Sequence, residues 1–273
     1  MTGFHDDVRF QELKLPGGPA LRCAERGPAD GTPVLFLHGY SDHWLSAAPI
    51  LPFLPPAWRL IAPDQRGHGR SERPEGGYEI ATLAADAAAL LDALGVERAS
   101  VVGHSMGSLV AQRLAAAHPE RVARLVLVGG GASLVESAVL QAFVAEVRAL
   151  PDPVPRAFVD AFQADSTVRP VSAALVEALV DEGCRMPARV WRAIADGLAS
   201  FDGRPDLPRI AAPTLLVWGD GDAFFSRADQ EQLLAGLPSA RLLTCTGTGH
   251  APHWEEPERF ARDLAAFLSA PGA

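Results

Sequence analysis

The sequence predicts an α/β protein, a mostly parallel sheet flanked by helices on both faces. Three observations predict it. Short apolar runs alternate along the chain with longer stretches of helical spacing, the signature of strand–helix–strand units. Several of the runs are continuously apolar, as expected of strands covered on both sides. Finally, a serine set between glycines, Gly103-His104-Ser105-Met106-Gly107, stands where one such run meets a helix-forming stretch.

Residues 8–15 and 20–26 read as two strands joined by the turn Pro16-Gly17-Gly18-Pro19, a hairpin. Pro33-Val34-Leu35-Phe36-Leu37 is a buried strand that ends in His38-Gly39-Tyr40-Ser41-Asp42-His43-Trp44, and residues 59–63 form the next, ending in Asp64-Gln65-Arg66-Gly67-His68-Gly69-Arg70-Ser71. Ile80, Leu83, Ala84, Ala87, Leu90, Leu91 and Leu94 share one helix face, which Gly95 closes. A strand over 99–102 leads into Ser105, a helix over 108–117 leaves it, and a strand over 123–128 follows. From about 133 to 207 the alternation stops. Helical patterns take over, carried by Val139, Leu140, Phe143, Val144 and Val147, then Phe158 and Phe162, then Val190, Ile194 and Leu198, with a proline-rich break at 151–155. The stretch is too apolar to stay disordered and reads as a helical insertion. Strands resume at 214–218 and 240–244, and a last amphipathic helix carries Phe260, Leu264, Phe267 and Leu268, with Pro257 in its first turn.

Composition narrows the class without naming a reaction. At 273 residues and 48% apolar, the chain can bury one large core with an insertion. No apolar run approaches the ~18 residues that would span a bilayer. The start, Met1-Thr2-Gly3-Phe4-His5-Asp6-Asp7, is acidic and does not read as a secretory signal. Cys23, Cys184 and Cys245 are few and far apart, which fits a reducing cytoplasm and no disulfide framework. A net charge of −9 disfavours nucleic acid and anionic membranes as partners.

The chemistry begins at Ser105. A serine between glycines at a strand-to-helix junction is pushed into a strained conformation that lifts its hydroxyl above the sheet edge. It becomes a nucleophile only with a base, and that base needs a third group to hold its tautomer. The candidate base is His250, in Gly249-His250-Ala251-Pro252-His253, between the final strand and the final helix and thus at the same edge. His253 is expected to line the site rather than act in it. His5, His118 and His104 read as core or surface residues, and no third ligand accompanies His250 and His253 for zinc. The orienting carboxylate comes from Trp218-Gly219-Asp220-Gly221-Asp222, where the glycines imply a turn that points only one of Asp220 and Asp222 inward. The oxyanion donors are the backbone N–H of Met106, at the helix start, and that of Tyr40. His38 is expected to hold the Tyr40 loop.

These motifs appear in order over nearly the whole chain, and together the chain resembles the α/β-hydrolase superfamily. The resemblance implies a mostly parallel eight-stranded α/β-hydrolase sheet flanked by helices, with a core domain of residues 1–132 and 208–273 and a helical cap over 133–207. It implies that the acid is Asp222, that Asp220 is a turn residue, and that Arg66 and His68 are not catalytic. Epoxide hydrolases and haloalkane dehalogenases of similar layout use an aspartate where this chain has Ser105. The expected reaction is therefore hydrolysis of a small to medium, mainly apolar carboxylic ester or lactone through an acyl-serine, with no metal or organic cofactor implied. Phe143, Phe158, Phe162 and Trp191 of the insertion, with Tyr40, Phe224 and His253, are candidates to line the pocket. No cationic cluster in the insertion points to a phosphate or coenzyme A tail. Alternatives on the same triad are a carbon–carbon hydrolase of ring-cleavage products and a cofactor-free haloperoxidase. An alternative of another class is a small-ligand receptor with incidental turnover.

Overall fold

The computed structural model describes residues 7–270. The expectations at His5 and over residues 1–6 lie outside them. Strands β1 (Val8–Lys14) and β2 (Ala20–Arg26) pair in an unbroken antiparallel register from Val8↔Arg26 to Lys14↔Ala20. Beyond this hairpin come β3 (Thr32–Leu37), β4 (Trp58–Pro63), β5 (Ala99–His104), β6 (Val122–Val128), β7 (Thr214–Gly219) and β8 (Ala240–Cys245). With the hairpin they form an eight-stranded sheet in the order β1-β2-β4-β3-β5-β6-β7-β8, parallel from β4 to β8.

Continuity of the apolar runs has the expected cause. In β3, Leu35 and Leu37 join a core with helix α1 (Ile80–Ala93) and helix α2 (Met106–Ala117), while Val34 and Phe36 join a second core on the opposite face. That second face is closed by a 3-10 helix over Trp44–Phe53 and by the last helix. Each such side chain, fully buried, contributes roughly 1.5–3 kcal/mol, so neither face of the central strands tolerates polarity.

Between β6 and β7 lie α3 (Ala138–Arg148), α4 (Arg156–Ala164), α5 (Ala173–Arg185) and α6 (Ala188–Ala199). Val190, Trp191, Ile194 and Leu198 of α6 are buried in the first core, which joins these inserted helices to the sheet. Helix α7 (Arg227–Gly236) precedes β8, and α8 (Pro252–Glu255) and α9 (Pro257–Leu268) follow it. Sequence periodicity did not single out α5, α7 or the 3-10 helix. Prolines at 49 and 52 break the 3.6-residue pattern of the last, and α7 buries little besides Gln230 and Leu233. Among the described residues no helix is long and apolar enough to cross a membrane.

Candidate active site

Ser105 sits between β5 and α2 with φ 53° and ψ −120°, a region that costs a side-chain-bearing residue about 1–3 kcal/mol. The surroundings hold it there. Its N–H donates to the Val128 carbonyl at 2.9 Å, and its own carbonyl accepts from Ser108 N at 2.8 Å and Ser108 Oγ at 2.6 Å. The flanking glycines are needed for approach. A Cβ on Gly103 would stand 2.2 Å from the Gly107 carbonyl oxygen, and one on Gly107 would stand 2.1 Å from that of Leu37.

His250 reaches the same edge in the loop between β8 and α8. Its Nδ1 lies 2.9 Å from Asp222 Oδ2, so Nδ1 donates to the carboxylate and Nε2 is left with its lone pair. Gly129, at the end of β6 with φ 54°, makes room for the ring, since a Cβ there would come within 2.7 Å of Nδ1. The Asp222 side chain is wholly buried, and its Oδ1 accepts from Phe224 N at 2.8 Å and Phe225 N at 3.1 Å. Burial pushes this carboxyl up, but His250 and the two amides outweigh burial and hold it below the ordinary carboxylate value. Asp220 points outward and accepts from Gly247 N at 2.6 Å. Of the two carboxylates in the turn, Asp222 is the one that meets the imidazole.

The loop after β3 supplies the third side. Buried His38 is its clamp, as expected. Its Nδ1 donates to the Gly39 carbonyl at 2.8 Å, and its Nε2 accepts from Gln65 N at 2.9 Å. Tyr40 lies beneath the inserted helices, its hydroxyl donating to the Trp191 carbonyl at 2.6 Å. Met106 opens α2, and an N–H in a helix's first turn has no intrahelical partner. Arg66 is engaged by Asp86 at 2.7 and 2.8 Å, and His68 packs against His38 at 4.9 Å, both outside the cavity wall.

Ser105, Met106, Tyr40 and His250 all line one cavity, together with Phe143, Phe162 and Phe224. Three side chains expected in its wall are elsewhere. Trp191 is fully buried behind Tyr40, at 4.7 Å between rings, with its indole N–H donating to the Gly183 carbonyl at 3.0 Å. Phe158 likewise packs against Trp191, at 5.5 Å. His253 lies one layer below the site, 4.5 Å from the His104 ring and 5.7 Å from Phe260, where burial holds it well below the ordinary histidine value. Apolarity and aromaticity in the sequence mark burial, not which side of a wall a ring occupies. Cysteines offer no rival nucleophile at this edge, as burial pushes the Cys245 thiol up to about 11.

Residues 32–257 match the alpha/beta hydrolase fold family. The chain belongs to that family. Among sequence relatives of this α/β hydrolase are a putative carbamate hydrolase from Variovorax paradoxus, 36% identical over 92% of this chain and 98% of the relative, and a non-heme chloroperoxidase from Streptomyces lividans, 33% identical over 89% and 94%. Among solved structures, the esterase RhEst1 from Rhodococcus sp. ECU1013 superposes with a TM-score of 0.87 at 28% identity, covering 96% of this chain and 99% of that one.

The α/β hydrolase also has cavity residues that sequence reasoning passed over, above all Asp42 and Gln163. Asp42 stands in the loop already marked by His38 and Tyr40. Gln163 follows Val159 by four residues on the buried side of α4, and a polar residue on an apolar stripe was the available signal.

Proposed function

We propose that this α/β hydrolase is a serine hydrolase of small to medium, mainly apolar carboxylic esters or lactones. Ser105 is its nucleophile, His250 its general base and Asp222 the group that orients the base. The observation that carries this reading is the 2.9 Å contact of His250 Nδ1 with Asp222, in a cavity that the left-handed Ser105 also lines. With Nδ1 donating, Nε2 takes the proton of Ser105 Oγ as that oxygen attacks the carbonyl carbon. Negative charge then gathers on the former carbonyl oxygen, and the N–H groups of Tyr40 and Met106 receive it, each contributing about 3 kcal/mol to the barrier reduction. His250 returns the proton to the departing alcohol, and water repeats the sequence on the acyl-serine. Residues 133–207 act as the cap that shelters this chemistry, and the apolar rings in the cavity wall support an apolar substrate. Three free cysteines support a reducing, cytoplasmic setting.

A fluorophosphonate probe tests the assignment. Wild-type protein is expected to carry the label on the peptide containing Ser105. Ser105→Ala is expected to take no label and to lose about 10⁶ in turnover of p-nitrophenyl acetate. Undiminished labelling of that variant places the nucleophile elsewhere. The chloroperoxidase relative favours one second reading, peracid formation on the same serine, which turnover of acetate with peroxide would reveal.

A further inference from the structure

Beside Ser105 the cavity carries a polar patch that acyl transfer leaves unused. A Cβ on Gly39 would stand 3.0 Å from Asp42 Oδ2, 3.1 Å from His104 Nδ1 and 3.2 Å from Ser105 Cβ, so these three groups surround one point. Asp42 and His104 are both 2% exposed, and both line the cavity. Gln163 of α4 donates from Nε2 to Asp42 Oδ1 at 3.2 Å and fixes the plane of the carboxylate. The other oxygen, Oδ2, receives the Ser46 hydroxyl at a long 3.4 Å.

The state of His104 follows from its neighbours. Its Nε2 lies 3.2 Å from the His250 carbonyl oxygen, and a carbonyl only accepts, so Nε2 carries the proton. Burial drives this ring below the ordinary histidine value against the pull of Asp42, so it is neutral at neutral pH. A neutral ring protonated at Nε2 presents a lone pair at Nδ1. That lone pair is 3.7 Å from Asp42 Oδ2, longer than a hydrogen bond, and Nδ1 has no partner. Two buried acceptors thus face each other at the cavity wall, an arrangement that a donor satisfies and that is costly to desolvate without one.

We infer that Asp42 Oδ2 and His104 Nδ1 form a recognition subsite for a hydrogen-bond donor, so that the substrate bears a hydroxyl or an ammonium group within a few bonds of its scissile carbonyl. The nearness to that carbonyl rests on the acyl-transfer reading, since it is Ser105 and the adjoining Tyr40 that locate it. The rest of the cavity stays apolar, and the substrate class becomes hydroxy- or amino-substituted esters and lactones with an otherwise hydrocarbon body. Gln163 is the positioning residue, because its amide turns Oδ1 away and leaves Oδ2 for the ligand.

Binding to Ser105→Ala, which removes the proposed turnover, tests the subsite by calorimetry. The probes are ethyl butyrate, ethyl 2- and 3-hydroxybutyrate, and the 2- and 3-amino counterparts. At least one donor-bearing ester is expected to bind roughly 10- to 100-fold tighter than ethyl butyrate, the range of a hydrogen bond to a charged group. The hydroxyl and amino arms separate the two sources of donor. Adding Asp42→Asn should abolish the advantage, because Gln163 holds the amide oxygen at the Oδ1 position and turns the NH2 group toward His104. If that variant does not fold, the comparison of esters on Ser105→Ala alone decides. Equal binding of every ester overturns the subsite. Fluorophosphonate labelling of wild-type protein reports on Ser105 separately: labelling with no donor preference removes the subsite and keeps the acyl-transfer reading, and preference without labelling does the reverse.

Discussion

Two histidine–carboxylate pairs flank Ser105, and they are built to opposite specifications. In the pair from the loops after β7 and β8, His250 Nδ1 meets Asp222 at 2.9 Å and the second carboxylate oxygen is held by two backbone N–H groups. In the pair formed by the loop after β3 and the end of β5, Asp42 and His104 stand 3.7 Å apart with Nδ1 unpartnered. The first pair is satisfied from within the protein, which fixes one tautomer and one orientation. The second is a pair of acceptors that the fold leaves for something else. On the proposed reading the same residue types serve chemistry in one place and selection in the other, and the hydrogen-bond inventory, not the residue type, separates them.

Asp222→Asn strikes the first pair hardest. An amide in that position favours the wrong tautomer, and turnover of p-nitrophenyl acetate is expected to fall about 10⁴-fold. A fall of less than tenfold would show that His250 is oriented by something else. The second pair belongs to a wider set of buried rings whose charge the fold suppresses, and His68 is the member that shows it best. Burial lowers its value from 6.5 to about 4. As pH falls, the unfolded chain takes up this proton first. The stabilisation is therefore whole above about pH 6.5 and declines by about 3 kcal/mol toward pH 4. Urea midpoints measured against pH should show at least that decline, and His68→Gln should remove about that much of it while His38, His104 and His253 keep theirs; an unchanged slope would show that this ring is not a source. Asp220→Asn is expected to be the mildest change, within about twofold in turnover, because the side chain is outside the dyad and exposed. A loss there rivalling that of Asp222→Asn would undo the distinction between the two carboxylates of the turn.

What could be read in advance follows physical lines. Val34, Leu35, Phe36 and Leu37 announce a central strand because both faces of such a strand must be apolar. Ser105 announces itself because few backbone conformations fit a serine between Gly103 and Gly107 at a strand end. Asp220 and Asp222 are different. They share a turn and a charge, and only the direction of the loop backbone separates them, so the residues alone left the choice open and the family resemblance pointed to Asp222. The aromatic residues were legible as buried but not as wall or interior, and Trp191 and His253 fell on the far side of that line. Asp42 and Gln163 come from segments about 120 residues apart and acquire meaning only when α4 lies against the loop after β3.

The phenol of Tyr40 is bolted to the main chain of α6 through Trp191, while the amide of the same residue belongs to the loop that faces Ser105. A single residue thus ties α6 to the loop after β3. A displacement of α6 would pass through this hydrogen bond to the loop after β3, whose Tyr40 peptide is the one proposed to receive the oxyanion. Tyr40→Phe would release that tie while leaving Ser105, His250 and Asp222 untouched.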